Sequence, residues 1–230
     1  MAERVLQGQP DIILTLRRSA RARRITLRIS SLDGRVTLTL PKHVAEREAL
    51  EFAREKEPWI RKHLEARVED VRVDIGTVLP VEGLGRRIVE GAGRTVRLTD
   101  ETLAVPGRTD TVTSRVQGFL KARARDVLAA ACDEYADRLG RSYSGLSLRD
   151  TRSRWGSCSS AGRLMFSWRL ILAPPEVLRY VAAHEVAHLA QMNHSPAFWA
   201  EVTRIYGPYD AQRRWLRTDG NGLHRFRFGD

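Results

Sequence analysis

Apolar residues along this chain recur with two periods, one of strands and one of helices. Between Arg24 and Ile29, and again between Arg35 and Leu40, polar and apolar residues alternate, as on a strand with one covered face. Ser31-Leu32-Asp33-Gly34 lies between the two runs and is a turn signal, so together they predict a β-hairpin that Pro41 ends. Ile12–Leu16 is a further short apolar strand. Residues 45–69, rich in Ala, Glu, Arg and Leu, predict a helix. Pro58 divides it in two, because proline fits the first turn of a helix and not its interior. Residues 76–105 carry short apolar runs punctuated by glycines and Pro80, which predicts more hairpins.

The longest helical pattern covers 112–139. Val116, Phe119, Leu120, Val127, Leu128, Ala131, Tyr135 and Leu139 recur at three- and four-residue spacings, and Gly140 is a natural stop. Leu146–Leu148 and Leu164–Trp168 predict two strands, with Trp155–Cys158 read as a turn between them. Further helices are expected to start near Pro174-Pro175-Glu176 and at Ser195-Pro196, where Ser195 caps and Pro196 takes the first helical position. No internal repeat is visible. The pattern suggests a β-rich region over 1–110, with its helical segment at about 45–69, and a second region over 111–230. The lack of a long linker also admits one interlocked unit.

Composition narrows the class. The 230 residues are ample for a hydrophobic core, and an apolar share of 42% is that of a folded protein. No apolar run is long enough to cross a membrane, and Met1-Ala2-Glu3-Arg4 leads into no apolar signal segment. Two cysteines, Cys132 and Cys158, make no disulfide framework, so a cytoplasmic protein without membrane association is expected. The net charge of +11 is carried mainly by arginine. Residues 15–41 hold seven arginines against Asp33. Arg17, Arg18, Arg21, Arg23, Arg24 and Arg28 thus offer a basic face that nucleic acid could use, although no aromatic residues interleave it.

One segment carries chemistry. His184-Glu185-Val186-Ala187-His188 fits the H-E-x-x-H pattern within a helical context of Val177, Leu178, Val181, Ala182 and Leu189. With 6 His and 15 Glu in the chain, random placement yields such a match about 0.01 times. Histidines at i and i+4 share one helix face and reach one ion. Glu185 is rotated by about 100°, free to act as a base rather than a ligand. A catalytic zinc takes three protein ligands and leaves one position open. His194 is the favoured third ligand if the helix ends before it, and Asn193 in a left-handed terminal conformation with Ser195-Pro196 supplies that break. Glu201 is the alternative. Tyr180, Tyr206, Tyr209 and Arg169 are candidates for stabilising an oxyanion. The expected activity is zinc-assisted hydrolysis of peptides or proteins with Glu185 as general base. A nucleic-acid-associated protein with a structural or inactive zinc site is the competing reading. His43, His63 and His224 lack partners at ligand spacing and are expected at the surface, while Cys158 is expected to be a small buried hydrophobe.

Three stretches give the chain a likeness to a known family. These are Arg18–Pro41, then Arg154-Trp155-Gly156-Ser157-Cys158-Ser159 with Phe166–Leu170, then His184–His188 with Asn193–Pro196 and Phe198-Trp199. The chain resembles the YgjP-like metallopeptidases, relatives of the WLM and SprT-like zinc peptidases. The resemblance implies an α+β, zincin-like core, with an antiparallel sheet packed on the active-site helix, preceded by a lobe rich in β-hairpins. It implies zinc on His184, His188 and His194, Glu185 as base, and an extended substrate paired with an edge strand, for which Leu164–Trp168 is the candidate. Relatives that act on DNA–protein crosslinks lend the nucleic-acid reading its interest. The histidine spacing is also that of metzincins, but Gln191 stands where their glycine falls and no methionine follows Met192.

Overall fold

The computed structural model describes residues 2–30, 33–65 and 69–229. It divides into two units, Met1–Glu69 and Asp70–Asp230.

The first unit contains β1 (Ala2–Leu6), β2 (Ile12–Arg18), β3 (Thr26–Ile29), β4 (Val36–Leu40), α1 (Glu46–Glu55) and α2 (Glu57–Glu65). The alternating runs do form an antiparallel hairpin, β3–β4, with Thr26 opposite Thr39. Residues 31 and 32 of its turn signal lie outside the described residues, and Gly34 takes a φ of 70° that favours glycine. β2 runs antiparallel to β1 and parallel to β4, giving the order β1-β2-β4-β3. The inward residues Leu14, Leu16, Val36, Leu38 and Leu40 pack with Ala49, Ala53 and Ile60. Lys56 separates the two helices, and Pro58 sits in the first turn of α2, where a missing N–H costs nothing. Residues 66–68 of the expected helix are outside the described residues.

The second unit contains β5 (Val71–Arg72), β6 (Val78–Val81), β7 (Leu84–Gly91), β8 (Arg97–Leu98), β9 (Thr102–Pro106), α3 (Val112–Leu139), β10 (Gly145–Arg149), β11 (Gly156–Cys158), β12 (Arg163–Ser167), α4 (Pro175–Ala187), α5 (Pro196–Tyr206), α6 (Asp210–Thr218) and β13 (Phe226–Arg227). Residues 70–110, which the sequence pattern groups with the amino-terminal region, belong to this unit. Leu79, Val81, Ile88, Leu103 and Val105 join one core with Val112, Val116, Leu120 and the α4 residues. Burial of such side chains at about 1.5–3 kcal/mol each outweighs the turn-rich composition that suggested a boundary near 110.

A repeat that the sequence hides appears in the topology. The sheet β6-β7-β9-β8 has the same strand order and pairing senses as β1-β2-β4-β3, with an outer hairpin, a central parallel pair and a second hairpin. A proline ends the last strand in each case, Pro41 just after β4 and Pro106 within β9, and a helix follows.

α3 spans 112–139 as its periodicity predicts, and Gly140 ends it at φ 71°. The sheet that follows α3 differs from expectation. Its order is β10-β12-β11, with β11 antiparallel to β12 but β10 parallel to it, so the sheet is mixed. The chain between β10 and β12 already contains β11, the antiparallel neighbour, so β12 returns in the direction of β10. Trp155–Cys158 is accordingly no simple turn, since Gly156–Cys158 forms β11.

Behind this sheet the buried Arg169 ties three segments together. It forms two hydrogen bonds to the Asp150 carboxylate at 2.7 and 3.2 Å and donates to the carbonyls of Leu223 and Phe226 at 3.0 and 2.9 Å. Burial raises the Asp150 pKa, but the Arg169 hydrogen bonds and charge outweigh it, so the net shift is downward. His224, expected at the surface, is buried here and stacks on Trp155 at 5.2 Å. Burial and the Arg169 charge hold its pKa down at about 4. Among the described residues no helix is long and apolar enough to cross a membrane.

Candidate active site

α4 starts on Pro174-Pro175 and is fixed by a buried face of Val177, Leu178, Val181, Ala182 and Val186. His184 lies in its last turn. His188 follows the helix at φ −63° and ψ −19°, still in helical conformation, so the i, i+4 relation survives and the two rings stand 5.1 Å apart. The chain then leaves the helix and returns. Asn193 does so without the left-handed conformation expected of it, and its side-chain oxygen accepts the Ser195 N–H at 3.2 Å. Ser195 caps α5 as predicted, its hydroxyl accepting the Phe198 N–H. This connection swings His194 back over α4, where its Nε2 stands 3.1 Å from Nε2 of His184.

One nitrogen from each of His184, His188 and His194 falls within 4.8 Å of the others. Phe198 packs against all three rings at 4.4–4.9 Å. The Gln191 carbonyl accepts from Nδ1 of His188 at 2.9 Å, which places the proton there and leaves Nε2 as the lone-pair donor. Burial lowers the His184 pKa to about 3, with the neighbouring His188, His194 and Arg213 adding to it, and burial also lowers His188. Neutral imidazoles are the form that a metal takes. Tetrahedral zinc with bonds of about 2.0–2.1 Å needs nitrogens about 3.4 Å apart, and the 3.1 Å between His184 and His194 is close to that. The donor set therefore fits a divalent metal.

Glu185 lies outside this cluster. Its side chain is buried against β11, so closely that a Cβ on Gly156 would sit 2.6 Å from its Cγ and 2.7 Å from Oε1. Burial pushes its pKa up to about 8, with the Arg154 charge opposing. Glu201 is also outside the cluster, held by Arg204 at 2.6 Å. Of the oxyanion candidates, Arg169 is committed to Asp150, and the Tyr206 hydroxyl donates to the Glu176 carbonyl at 2.8 Å. Tyr180 and Tyr209 stack on one another at 5.6 Å, with Tyr180 6.0 Å from His184. Cys158 is half-buried rather than buried, and burial first, then the Glu185 charge, raises its thiol pKa.

The strand expected to receive substrate is displaced by one position in the sheet. Leu164–Trp168 maps onto β12, which is paired on both sides; β11 holds the outer position beside Glu185. The basic residues lie in the first unit. Arg17 and Arg18 end β2, Arg28 is in β3, and Arg21, Arg23 and Arg24 line one shallow concavity with Ser19, Thr26 and Thr39. Arg154 and Gly156 fall in a stretch that carries the family likeness but had no role assigned to them, and Arg213 was not singled out at all.

No curated protein matches the chain. Among solved structures it is similar to the metallopeptidase zymogen of Pyrococcus abyssi abylysin, with 23% identity, a TM-score of 0.35, and coverage of 42% of this chain and 95% of that one. The model of the YgjP-like metallopeptidase domain matches residues 23–219, which cover part of the first unit from β3 onward and most of the second, including the β11 segment and the histidine cluster. The chain belongs to the YgjP-like metallopeptidase family.

Proposed function

We propose that the chain is a zinc-dependent peptidase with His184, His188 and His194 as ligands and Glu185 as general base. The observation that carries this reading is the convergence of three imidazole nitrogens within 4.8 Å, with the residue after His184 on the same helix, Glu185, carrying a buried carboxylate that is not one of the cluster. Zinc in such a site polarises a carbonyl and lowers the pKa of water. The chain's own residues do the rest. The outer edge of β11 offers backbone groups to an extended peptide. Glu185 takes the proton of the attacking water and hands it to the leaving amine. Phe198 and the Gln191 carbonyl hold the imidazoles in place so that little reorganisation is needed. A closed structural site has four ligands and no use for a neighbouring carboxylate, which counts against a structural zinc.

The test is metal analysis beside proteolysis. Purified wild type is expected to carry about one zinc per chain, to lose proteolysis on chelation and to regain it with zinc. His188→Ala should lower metal affinity sharply. A chain that binds no zinc when supplied with an excess would overturn the reading.

A second activity is supported by the concavity lined by Arg21, Arg23 and Arg24, none of which pairs with a carboxylate among the described residues. It would give salt-dependent binding of nucleic acid. Duplex DNA affinity is expected to fall steeply between 50 and 200 mM salt, and to weaken when the three arginines become alanine. Absence of binding at low salt would remove this reading and leave the peptidase untouched.

A further inference from the structure

Two arginines border the proposed site without a carboxylate partner among the described residues. Arg154 stands two residues ahead of Gly156, at the head of β11. Its carbonyl accepts from the Thr151 hydroxyl at 2.8 Å, and the following carbonyl, of Trp155, accepts the Ser167 N–H at 2.8 Å. The backbone is thus fixed while the guanidinium stays exposed, and its charge is felt by Glu185. Arg213, exposed on α6, lies 4.8 Å over the Trp199 ring. That ring is 5.7 Å from His184 and 5.6 Å from His194. Some arginines of the same unit are engaged, Arg123 by Glu82, Arg169 by Asp150, Arg179 by Glu134 and Arg204 by Glu201; Arg154 and Arg213 are set apart from the other exposed ones by their place beside β11 and over Trp199. Asp210, one turn before Arg213, forms no ion pair with it among the described residues.

We infer that Arg154 and Arg213 set substrate choice, and that the site takes acidic peptides with Asp or Glu close to the scissile bond. The inference rests on the peptidase reading and adds the substrate class. Arginine presents a planar fork that matches a carboxylate in two hydrogen bonds. One arginine heads the strand proposed to pair with the peptide, and the other is held by an aromatic ring next to the metal ligands. Each therefore meets a substrate side chain near the reacting carbonyl. A basic side chain there meets like charge from both, which discriminates by repulsion as well as attraction.

The test takes a peptide that wild type cleaves and remakes it with Glu, Gln or Lys at each position within two residues of the cut. kcat/KM should fall in the order Glu, Gln, Lys, with a Glu-to-Lys ratio of at least about tenfold at low salt that shrinks at high salt. In the double variant Arg154→Glu with Arg213→Glu the order should reverse. Binding of the labelled peptides to Glu185→Gln, followed by fluorescence anisotropy, should show the wild-type order without turnover. If circular dichroism shows the double variant unfolded, Arg154→Gln and Arg213→Gln singly should each reduce the ratio. A ratio near one, or one that the arginine variants leave unchanged, overturns the inference alone. Failure of zinc-loaded wild type to cleave any peptide overturns the peptidase reading and this inference with it.

Discussion

Glu185→Gln is expected to lower peptide hydrolysis by about 10²–10⁴-fold, the contribution of a general base, while the zinc content stays that of wild type. The amide has the shape of the carboxylate and fits the same space against Gly156. It needs no charge in a place where burial already disfavours one, and so the fold should be no less stable. What it lacks is the capacity to take a proton from water. Kinetics, metal analysis and a thermal melt on the same preparation separate these effects. Activity equal to wild type would remove Glu185 from the mechanism, and loss of zinc would mean that its role is to support the ligands instead.

The second large effect is expected from one methyl group. Gly156→Ala places a Cβ 2.6–2.8 Å from Cγ, Oε1 and Cδ of Glu185. Contacts that short do not persist, so either the carboxylate rotates away or β11 retreats from its pairing with Phe166. Both outcomes move the base relative to the histidines, and a misplacement of about 1 Å costs about 10² in rate. kcat/KM should fall by at least that factor, with zinc retained because no ligand is touched. Wild-type activity in this variant would show that β11 gives way freely and that its contact with Glu185 is unimportant.

The parts of the molecule that could be read in advance are those where local pattern and tertiary packing agree. α3 is legible because its apolar residues keep one period for 28 residues and a glycine ends it. The histidine pair is legible because helix geometry alone brings i and i+4 together. His194 was reachable because Ser195-Pro196 marks the start of the next helix. Other elements depend on distant partners. β11 is three residues of Gly, Ser and Cys without alternation, and becomes a strand through β12. β5 and β13 are two residues each and exist through one another. α6 escaped because it buries no residue fully. His224 looked like a surface residue because nothing near it in sequence foretells Trp155 stacking on it. The edge position of β11, with β12 inside the sheet, escaped for the same reason, since which of two strands lies outermost is decided by pairing and not by composition.

The pairing of β5 with β13 also sets a clock. Arg227 and Asp70 form an ion pair across 157 residues, next to the ladder in which Phe226 meets Val71. The Arg169 guanidinium finds its carbonyl acceptors at Leu223 and Phe226. The first sheet, by contrast, draws all its strands from residues 2–40. At about 5–20 residues per second of synthesis, the first unit can finish folding while the second waits roughly 10–30 s for the partners of Asp70 and Val71. A nascent chain can therefore hold its arginine-rich sheet well before the β5–β13 pair closes the second unit.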